Sequence, residues 1–295
     1  MSRAALDLDL VQSALSQQIS RLEGELSTRL LQRSSKGVVP TEAGLAFFRE
    51  AQLTLRHAEQ AVRAAQQSRL SGTVSVGLAS TTAVVLGVPL MRAMRARYPD
   101  VRLHLVESMS GHLTSMLNAR QLDLAVLFDT GVARRWSVMP LLEEKLYLMG
   151  LRTAGESGLP ASTRMAQLDG VPLILPTGAH GLRSTLDAAF ARADIKPLLV
   201  AEVDSLTMLM DAVCAGLGST VQPWAALGRV HSAAQCLQWA EITDAQVHRS
   251  NALCSLSDDE LSPAALATRV VLADCARALV RSGAWEGTRL AHHDL

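Results

Sequence analysis

Short hydroxyl and amide side chains crowd one face of a helical segment near the N-terminus. Glutamine can form two hydrogen bonds with an adenine edge, and serine can bond a base edge or a phosphate. The positions are Gln12, Ser13, Ser16, Gln17, Ser20 and Arg21. Arg29, Arg33 and Lys36 follow with no acidic residue between Glu25 and Glu42, which suits phosphate contact. The pattern predicts a helix–turn–helix DNA-binding surface, and a helix pair with a merely solvated polar face fits it equally well.

A second group of hydroxyls follows predicted strands farther along the chain. Ser80, Thr81 and Thr82 lie between a strand and a helix, where hydroxyls and free helix N–H groups suit an anion. Thr177 and Asp204-Ser205 follow strands of a second unit, and such strand ends meet at a crevice. The sequence therefore predicts a binding cleft for a small polar or anionic molecule. Ordinary helix capping also explains these hydroxyls, and Asp204 disfavours a simple dicarboxylate.

The candidate catalytic motifs in the sequence each lack a required feature. Gly216-Leu217-Gly218 follows a predicted helix and precedes a strand, the reverse of a dinucleotide-binding turn, and Ser75 lacks the GxSxG spacing of a nucleophile elbow. His180, beside Gly181, is predicted to be a solvated loop histidine rather than a ligand contact. We therefore expect no catalytic residue, no metal site and no cofactor.

The first 70 residues are predicted to be almost wholly helical. Ser13 is the expected N-cap of the second helix, residues 32–40 are predicted to form a loop, and Thr41 is the expected cap of a helix that reaches about Ser68. Apolar residues along that long helix approximate a coiled-coil seam and predict a dimer. The seam residues are Phe47, Ala51, Ala58, Ala61 and Ala65, flanked by Phe48, Leu55 and Val62.

From Gly72 onward strands and helices alternate. Strands are predicted at 73–79, 101–106, 122–128, 145–151, 172–176, 198–203 and 247–256, with helices at 84–98, 112–120, 182–193, 208–215 and 264–281. This order predicts two βα units, each with a parallel sheet covered by helices, and a frayed tail after Gly283. The domain boundaries that follow are 1–40, 41–71 and 72–295, the last comprising one subdomain at about 72–152 and 254–283 and another at about 153–253.

Length and composition restrict the class of protein and the number of domains. The chain has 295 residues, zero formal net charge and 48% apolar residues, which suits two or three packed domains. No apolar run is long enough for a membrane helix, and the N-terminus lacks the features of a secretory signal. The four cysteines form no CxxC pair and are expected to be free thiols in a reducing cytoplasm.

The run AALDLDLVQSALSQQISRLEGELSTRLLQRSSKGVVPTEAG resembles the N-terminal signature of LysR-type transcriptional regulators, and the resemblance extends to about residue 283. The segments Leu22–Leu26 and Leu70–Ala79 are particularly similar to nitrogen assimilation control regulators. The resemblance implies a winged helix–turn–helix, a linker helix that dimerises, and a regulatory region of periplasmic-binding-protein type with two Rossmann-like subdomains. Its implied partners are double-stranded promoter DNA, a small-molecule effector, further copies in a dimer or tetramer and, as an additional candidate, RNA polymerase, but no membrane.

The resemblance also implies site residues. Contacts with bases or phosphates fall on Gln12, Ser13, Ser16, Gln17, Arg33 and Lys36. The effector pocket falls near Ser80, Thr81, Thr82, Phe128, Thr177 and Ser205. Family members most often have proline at position 13 and arginine at position 17.

The resemblance places Met1 near the start of the family's second helix. The alternative expectation is therefore a cytosolic ligand-binding α/β protein with little or no DNA binding because its first helix is missing. Some regulators similar to this subgroup work without an effector, so an unused cleft is a further alternative.

Overall fold

The structure is a computed structural model that describes residues 2–7, 10–34, 37–66, 70–128, 136–152, 158–178, 180–230, 236–244 and 246–291. Contacts divide the chain into two units, Met1–Gln66 and Gln67–Leu295. Within the described residues no helix is long and apolar enough to cross a membrane.

The first unit combines three helices with a β-hairpin. Helices α1 (Ser2–Asp7) and α2 (Gln12–Glu25) precede strands β1 (Leu31–Ser34) and β2 (Gly37–Pro40), and α3 (Glu42–Gln66) follows. The Glu23 carboxylate accepts hydrogen bonds from the backbone N–H groups of Leu30 and Leu31, at 2.8 and 2.9 Å, and so anchors the hairpin to α2. Thr41 caps α3, as predicted, because its hydroxyl accepts a bond from Gly44 N.

Two predictions for this unit are wrong. Helix α2 begins at Gln12 with Val11 as its N-cap residue and no side-chain cap, so Ser13 lies inside the first turn and is not the cap. Residues 32–40 are not a plain loop, because β1 and β2 pair in register from Leu31 opposite Pro40 to Ser34 opposite Gly37. The antiparallel ladder satisfies backbone groups that a loop would leave to water.

Few apolar side chains of the first unit are buried. Among its described residues only Ala5 and Leu30 are buried apolar side chains. The large apolar side chains exposed on the described part of α3 are Leu45, Phe48 and Leu55, which lie on one face of the helix. In the predicted seam Phe47 and Ala51 are half-buried and Ala58 is exposed, whereas the side chains of Ala61, Val62 and Ala65 lie outside the described residues, as does Ser68.

The second unit begins with the predicted βαβαβ pattern. Strands β3 (Gly72–Ala79), β4 (Val101–Ser108) and β5 (Leu124–Phe128) are parallel, and helices α4 (Ser80–Arg97) and α5 (Ser110–Asn118) connect them. The wholly parallel sheet is a wrong prediction, because β12 (His248–Ser255) pairs antiparallel with β5 and with the long strand β6 (Ser137–Leu151). We call this part, with the helix α8 (Pro263–Arg281), lobe 1.

Lobe 2 is built on the far half of β6. It contains β7 (Ser162–Thr163), β8 (Pro172–Leu175), α6 (Gly181–Arg192), β9 (Leu198–Glu202), α7 (Leu206–Cys214), β10 (Thr220–Pro223) and β11 (Leu237–Ile242). Strands β10 and β11 pair antiparallel with β6, while β8 and β9 form a separate parallel pair. Each lobe has its own apolar core, so β6 is the element that both lobes share.

Residues 284–291 are packed and paired, which contradicts the predicted frayed tail for this stretch. Strand β13 (Thr288–Leu290) pairs with β6, and the Trp285 side chain is buried. The indole N–H of Trp285 donates a 3.0 Å hydrogen bond to Glu144 Oε1. This segment was missed because its pairing partner is distant in the sequence and no local pattern marks a three-residue strand.

Candidate effector cleft and DNA-binding surface

A small cavity of about 40 Å³ lies between the two lobes of the second unit. The first turns of α4, α5, α6 and α7 all contribute to its wall, so four helix N-termini converge on it. Free backbone N–H groups at helix N-termini favour negative charge or oxygen atoms. The lining residues are Ala79, Ser80, Thr81, Met109, Ser110, Phe128, Pro176, His180, Leu182, Val203, Leu206, Leu209, Gln222 and Arg249.

A buried ion pair supports the lobe 1 side of the cavity. Arg249 donates to Glu144 Oε2 through Nε at 2.8 Å and to Thr81 Oγ1 through Nη2 at 2.7 Å. Asn251 and Trp285 donate further bonds to the same carboxylate. Glu144 and Arg249 are only 1% and 2% exposed, so each charge is compensated inside the protein rather than by water.

The guanidinium of Arg249 also stacks on Phe128, with Cζ 3.8 Å from the ring centroid. This stacking holds the guanidinium plane against the cavity wall. Sequence reasoning missed Arg249 and Glu144, which are 105 positions apart and come together only through the pairing of β12 with β6. An arginine within an apolar predicted strand was the one available signal.

The predicted effector residues divide between two environments. Ser80, Thr81 and Phe128 lie in the cavity wall. Thr82 is fully buried outside the lining, and its hydroxyl has no hydrogen-bond partner within the described part of the chain. Helix α4 starts at Ser80 rather than Val84, which turns Thr82 into the interior of lobe 1. Ligand contact by any of these residues stays a prediction.

Thr177 and Ser205 lie on the lobe 2 side but outside the lining. Thr177 donates through its backbone N–H and its hydroxyl to the Asp204 carboxylate, both at 2.9 Å. Ser205 caps α7, because its hydroxyl accepts a 3.3 Å hydrogen bond from Met208 N. Both hydroxyls therefore make local hydrogen bonds, as the capping alternative expects, and their contact with an effector stays a prediction.

His180 joins the two lobes and is not the solvated loop residue that the sequence predicted. Its side chain is buried, and Nδ1 accepts a 3.3 Å hydrogen bond from Gly111 N at the start of α5. Gly181 N donates a 3.1 Å bond to Ser110 Oγ across the same boundary. His180 was misjudged because its burial depends on the opposite lobe.

The carboxylate of Asp204 faces His180, with Oδ1 3.2 Å from His180 Nε2. Partial burial alone would raise the pKa of Asp204, but hydrogen bonds from Thr177 and the proximity of His180 lower it. Asp204 is therefore ionised and already engaged at neutral pH. It contributes negative charge near the cavity, as the sequence suggested.

The predicted DNA-contacting face of α2 is accessible. Gln12, Ser13 and Gln17 are exposed, and Ser16 is half-buried. The side chain of Arg33 and the whole of Lys36 lie outside the described residues, although the Arg33 backbone pairs with Val38 in the hairpin. Arg29, just before the hairpin, is exposed.

Across the residues that the structure describes, no group of three or more histidine, cysteine, aspartate or glutamate side chains could hold a metal ion. The architecture is a helix–turn–helix unit with a β-hairpin wing, together with a bilobal α/β unit that has a cleft between its lobes. This combination defines the class of effector-responsive transcriptional regulators.

Comparisons with known proteins agree with that class. The model of the LysR substrate binding domain matches residues 67–276, and that of the bacterial regulatory helix-turn-helix protein, lysR family, matches residues 1–45. The chain belongs to the LysR family, and it is a DNA-binding transcriptional regulator rather than an enzyme. Nothing in the comparisons favours the alternative of a ligand-binding protein without DNA binding.

Named relatives cover most of the chain. It is 35% identical to the nitrogen assimilation regulatory protein nac of Klebsiella aerogenes and 33% identical to that of Escherichia coli, over 92% of this chain and 88% of each relative. A full-length OxyR variant from Pseudomonas aeruginosa has the same fold, with a TM-score of 0.71, 24% identity, and coverage of 94% of this chain and 89% of that chain. Full-length CbnR complexed with its target DNA also has this fold, with a TM-score of 0.65, 22% identity, and coverage of 93% of both chains.

Proposed function

We propose that α2 enters the major groove of promoter DNA while the hairpin lies along the phosphates. The exposed amides and hydroxyl of Gln12, Ser13 and Gln17 support this placement, with Ser16 beside them. Arg33 and Lys36 would contact phosphates on this proposal. The structural similarity to a CbnR–DNA complex concerns the fold, so the base contacts rest on the residue types of α2.

A salt titration tests the division between base and phosphate contacts. With DNA from upstream of the protein's own gene, Ser16→Ala should change sequence preference. Lys36→Ala should weaken binding to all sequences and reduce the slope of log K against log salt by roughly one unit. Lys196→Ala, an exposed lysine of the second unit, is the matched control and should leave the slope unchanged. Equal slopes for wild type and Lys36→Ala would contradict the phosphate contact.

Self-association through α3 is the second part of the proposal. Leu45, Phe48 and Leu55 are 50%, 58% and 66% exposed in an isolated chain, an apolar face that a helix pair would cover. A dimer would present two α2 helices to two half-sites, and a tetramer that also uses the second units would present two such pairs. Phe48→Glu with Leu55→Glu should give monomers by light scattering, whereas Ala46→Glu on the opposite face should not.

The second unit is proposed to bind a small polar or anionic effector in the cleft. One observation carries this proposal: a cavity at four helix N-termini is lined by Thr81 and by a buried, stacked arginine. The present volume holds only a few water molecules, so a larger effector requires the lobes or the lining side chains to move. Of the six predicted contacts, Ser80, Thr81 and Phe128 line the cavity, and we add Arg249 to them.

Regulation then depends on the bonds that span the lobes. Gly111 to His180 and Gly181 to Ser110 hold the present arrangement, and an effector can shift it only by binding one arrangement more tightly than another. Thermal unfolding with matched carboxylates and carboxamides of a few heavy atoms tests the ligand class. We expect carboxylates to raise the midpoint more than their amides, and equal shifts would contradict recognition of charge. Contact with RNA polymerase and a cytoplasmic location stay predictions.

A further inference from the structure

A buried glutamine of lobe 2 contributes a polar side chain to the wall of the cavity. Gln222, on β10, is only 3% exposed and lines the cavity. Its backbone is held by the pairing of β10 with β6, where it lies opposite Tyr147, and the adjacent Val221 is packed in an apolar core of lobe 2. Within the described part of the chain, no residue forms a hydrogen bond with the Gln222 side-chain amide.

Packing alone does not explain an amide at this position. The other lobe 2 residues of the cavity wall include the buried, apolar Leu206 and Leu209. An amide without a hydrogen-bond partner in such surroundings costs free energy, whereas a methionine of similar size would fill the same space without that cost. A partner inside the cavity therefore accounts for Gln222 better than packing does.

Lobe 1 contributes a second polar group with hydrogen-bonding capacity to spare. Arg249 uses Nε and Nη2 for Glu144 and Thr81, and none of the described residues accepts a hydrogen bond from its Nη1. Because Arg249 is 2% exposed and lines the cavity, the cavity is where Nη1 can find an acceptor. A guanidinium only donates hydrogen bonds, whereas an amide both donates and accepts. The two lobes therefore offer the cavity two different kinds of polar group.

We infer that the cavity recognises a small hydroxycarboxylate, with its carboxylate at Arg249 and its hydroxyl at Gln222. The inference rests on the proposed effector cleft and adds the second functional group of the ligand. The carboxylate accepts from Arg249 Nη1 and is favoured by the helix N-termini, while the hydroxyl donates to Gln222 Oε1. A plain carboxylate leaves the amide without a partner, so Gln222 is the residue that discriminates between the two classes of acid.

Glycolate and propionate test this inference, because they are ionised at neutral pH and differ only by a hydroxyl in place of a methyl group. Ligand-observed NMR with the full-length protein should give a dissociation constant for glycolate roughly 5–100-fold below that for propionate, since propionate leaves a buried amide unpaired. Gln222→Met should weaken glycolate binding to about the level of propionate and should not weaken propionate. Gln121→Met, at an exposed glutamine of lobe 1, is the matched control and should keep the wild-type preference.

The comparison of the two acids in wild type does not depend on how well a variant folds. Equal dissociation constants for glycolate and propionate in wild type would overturn the inference and leave the anion-binding cleft in place. A preference for glycolate that persists in folded Gln222→Met would also overturn it, because the hydroxyl would then be recognised elsewhere. Binding of neither acid would contradict the proposed cleft itself, and the inference would fall with it.

Discussion

Hydroxyl residues follow strands on both sides of the cleft, but the two sides hold them in different ways. On the lobe 1 wall, hydroxyls follow β3, and Thr81 faces the cavity because Arg249 donates to it. On the lobe 2 side, hydroxyls follow β8 and β9 but lie outside the cavity lining, where Thr177 donates to Asp204 and Ser205 caps α7. A hydroxyl after a strand therefore reaches the cavity wall only on the side where Arg249, from a distant strand, bonds to it.

Substitutions on the two sides of the cleft should therefore have different energetic costs. The lobe 1 wall contains a buried charge pair, where loss of one partner leaves the other uncompensated. The lobe 2 hydroxyls of Thr177 and Ser205, which lie outside the lining, are half-buried and exposed, so water can satisfy their partners after a substitution. Substitutions on the two walls should differ in their effects on both stability and regulation.

Removing the Arg249 guanidinium should have the largest effect. Arg249→Met leaves the Glu144 charge buried with only Asn251 and Trp285 as donors. The expected loss is about 3–5 kcal/mol of unfolding free energy, or roughly 6–20 °C in the midpoint. Thermal denaturation measures it, with Arg97→Met as the control because Arg97 pairs with Asp274 at the surface. A loss of under about 1 kcal/mol would mean that water replaces the guanidinium.

Replacing both Arg249 and Glu144 tests whether the uncompensated Glu144 charge causes the loss of stability. Arg249→Met combined with Glu144→Leu removes the uncompensated carboxylate, so part of the lost stability should return. We expect the double variant to unfold several degrees above Arg249→Met in the same assay. If the two losses simply add, the charge pair is not the cause, and packing around Phe128 explains the first result.

The lobe 2 wall should respond more weakly. Ser205→Ala removes the α7 cap and should cost about 1 kcal/mol, or roughly 2–4 °C, without altering the regulatory response. Circular dichroism during heating measures the first part and a promoter reporter the second. A reporter that loses its response in Ser205→Ala, with stability close to wild type, would move Ser205 into the binding site.

Much of the fold was predicted correctly because helices, strands and caps depend on residues that are close together in the sequence. The alternation from Gly72 onward, the Thr41 cap and the length of α3 depend on periodicity and capping within a few positions. The mixed sheet, Trp285 and β13 depend on strand pairing over long sequence separations, which periodicity does not encode.

The site shows the same limit. The hydroxyls of Ser80 and Thr81 were predicted from their position after a strand. Arg249, Glu144 and His180 acquire their roles only through residues far away in sequence. The sequence indicated the residue types of the site, but it did not indicate which distant residues contact each other in the fold.

The most direct measurement compares promoter-reporter output in wild type, Thr81→Val and Ser205→Ala across a panel of small metabolites. Thr81→Val removes a hydroxyl of the cavity wall and retains the β-branched shape, while Ser205→Ala removes a cap. We expect that a metabolite that changes wild-type output also changes that of Ser205→Ala but not that of Thr81→Val, with DNA binding intact in all three. A Thr81→Val response equal to that of wild type would contradict the assignment of the lobe 1 wall as the effector site.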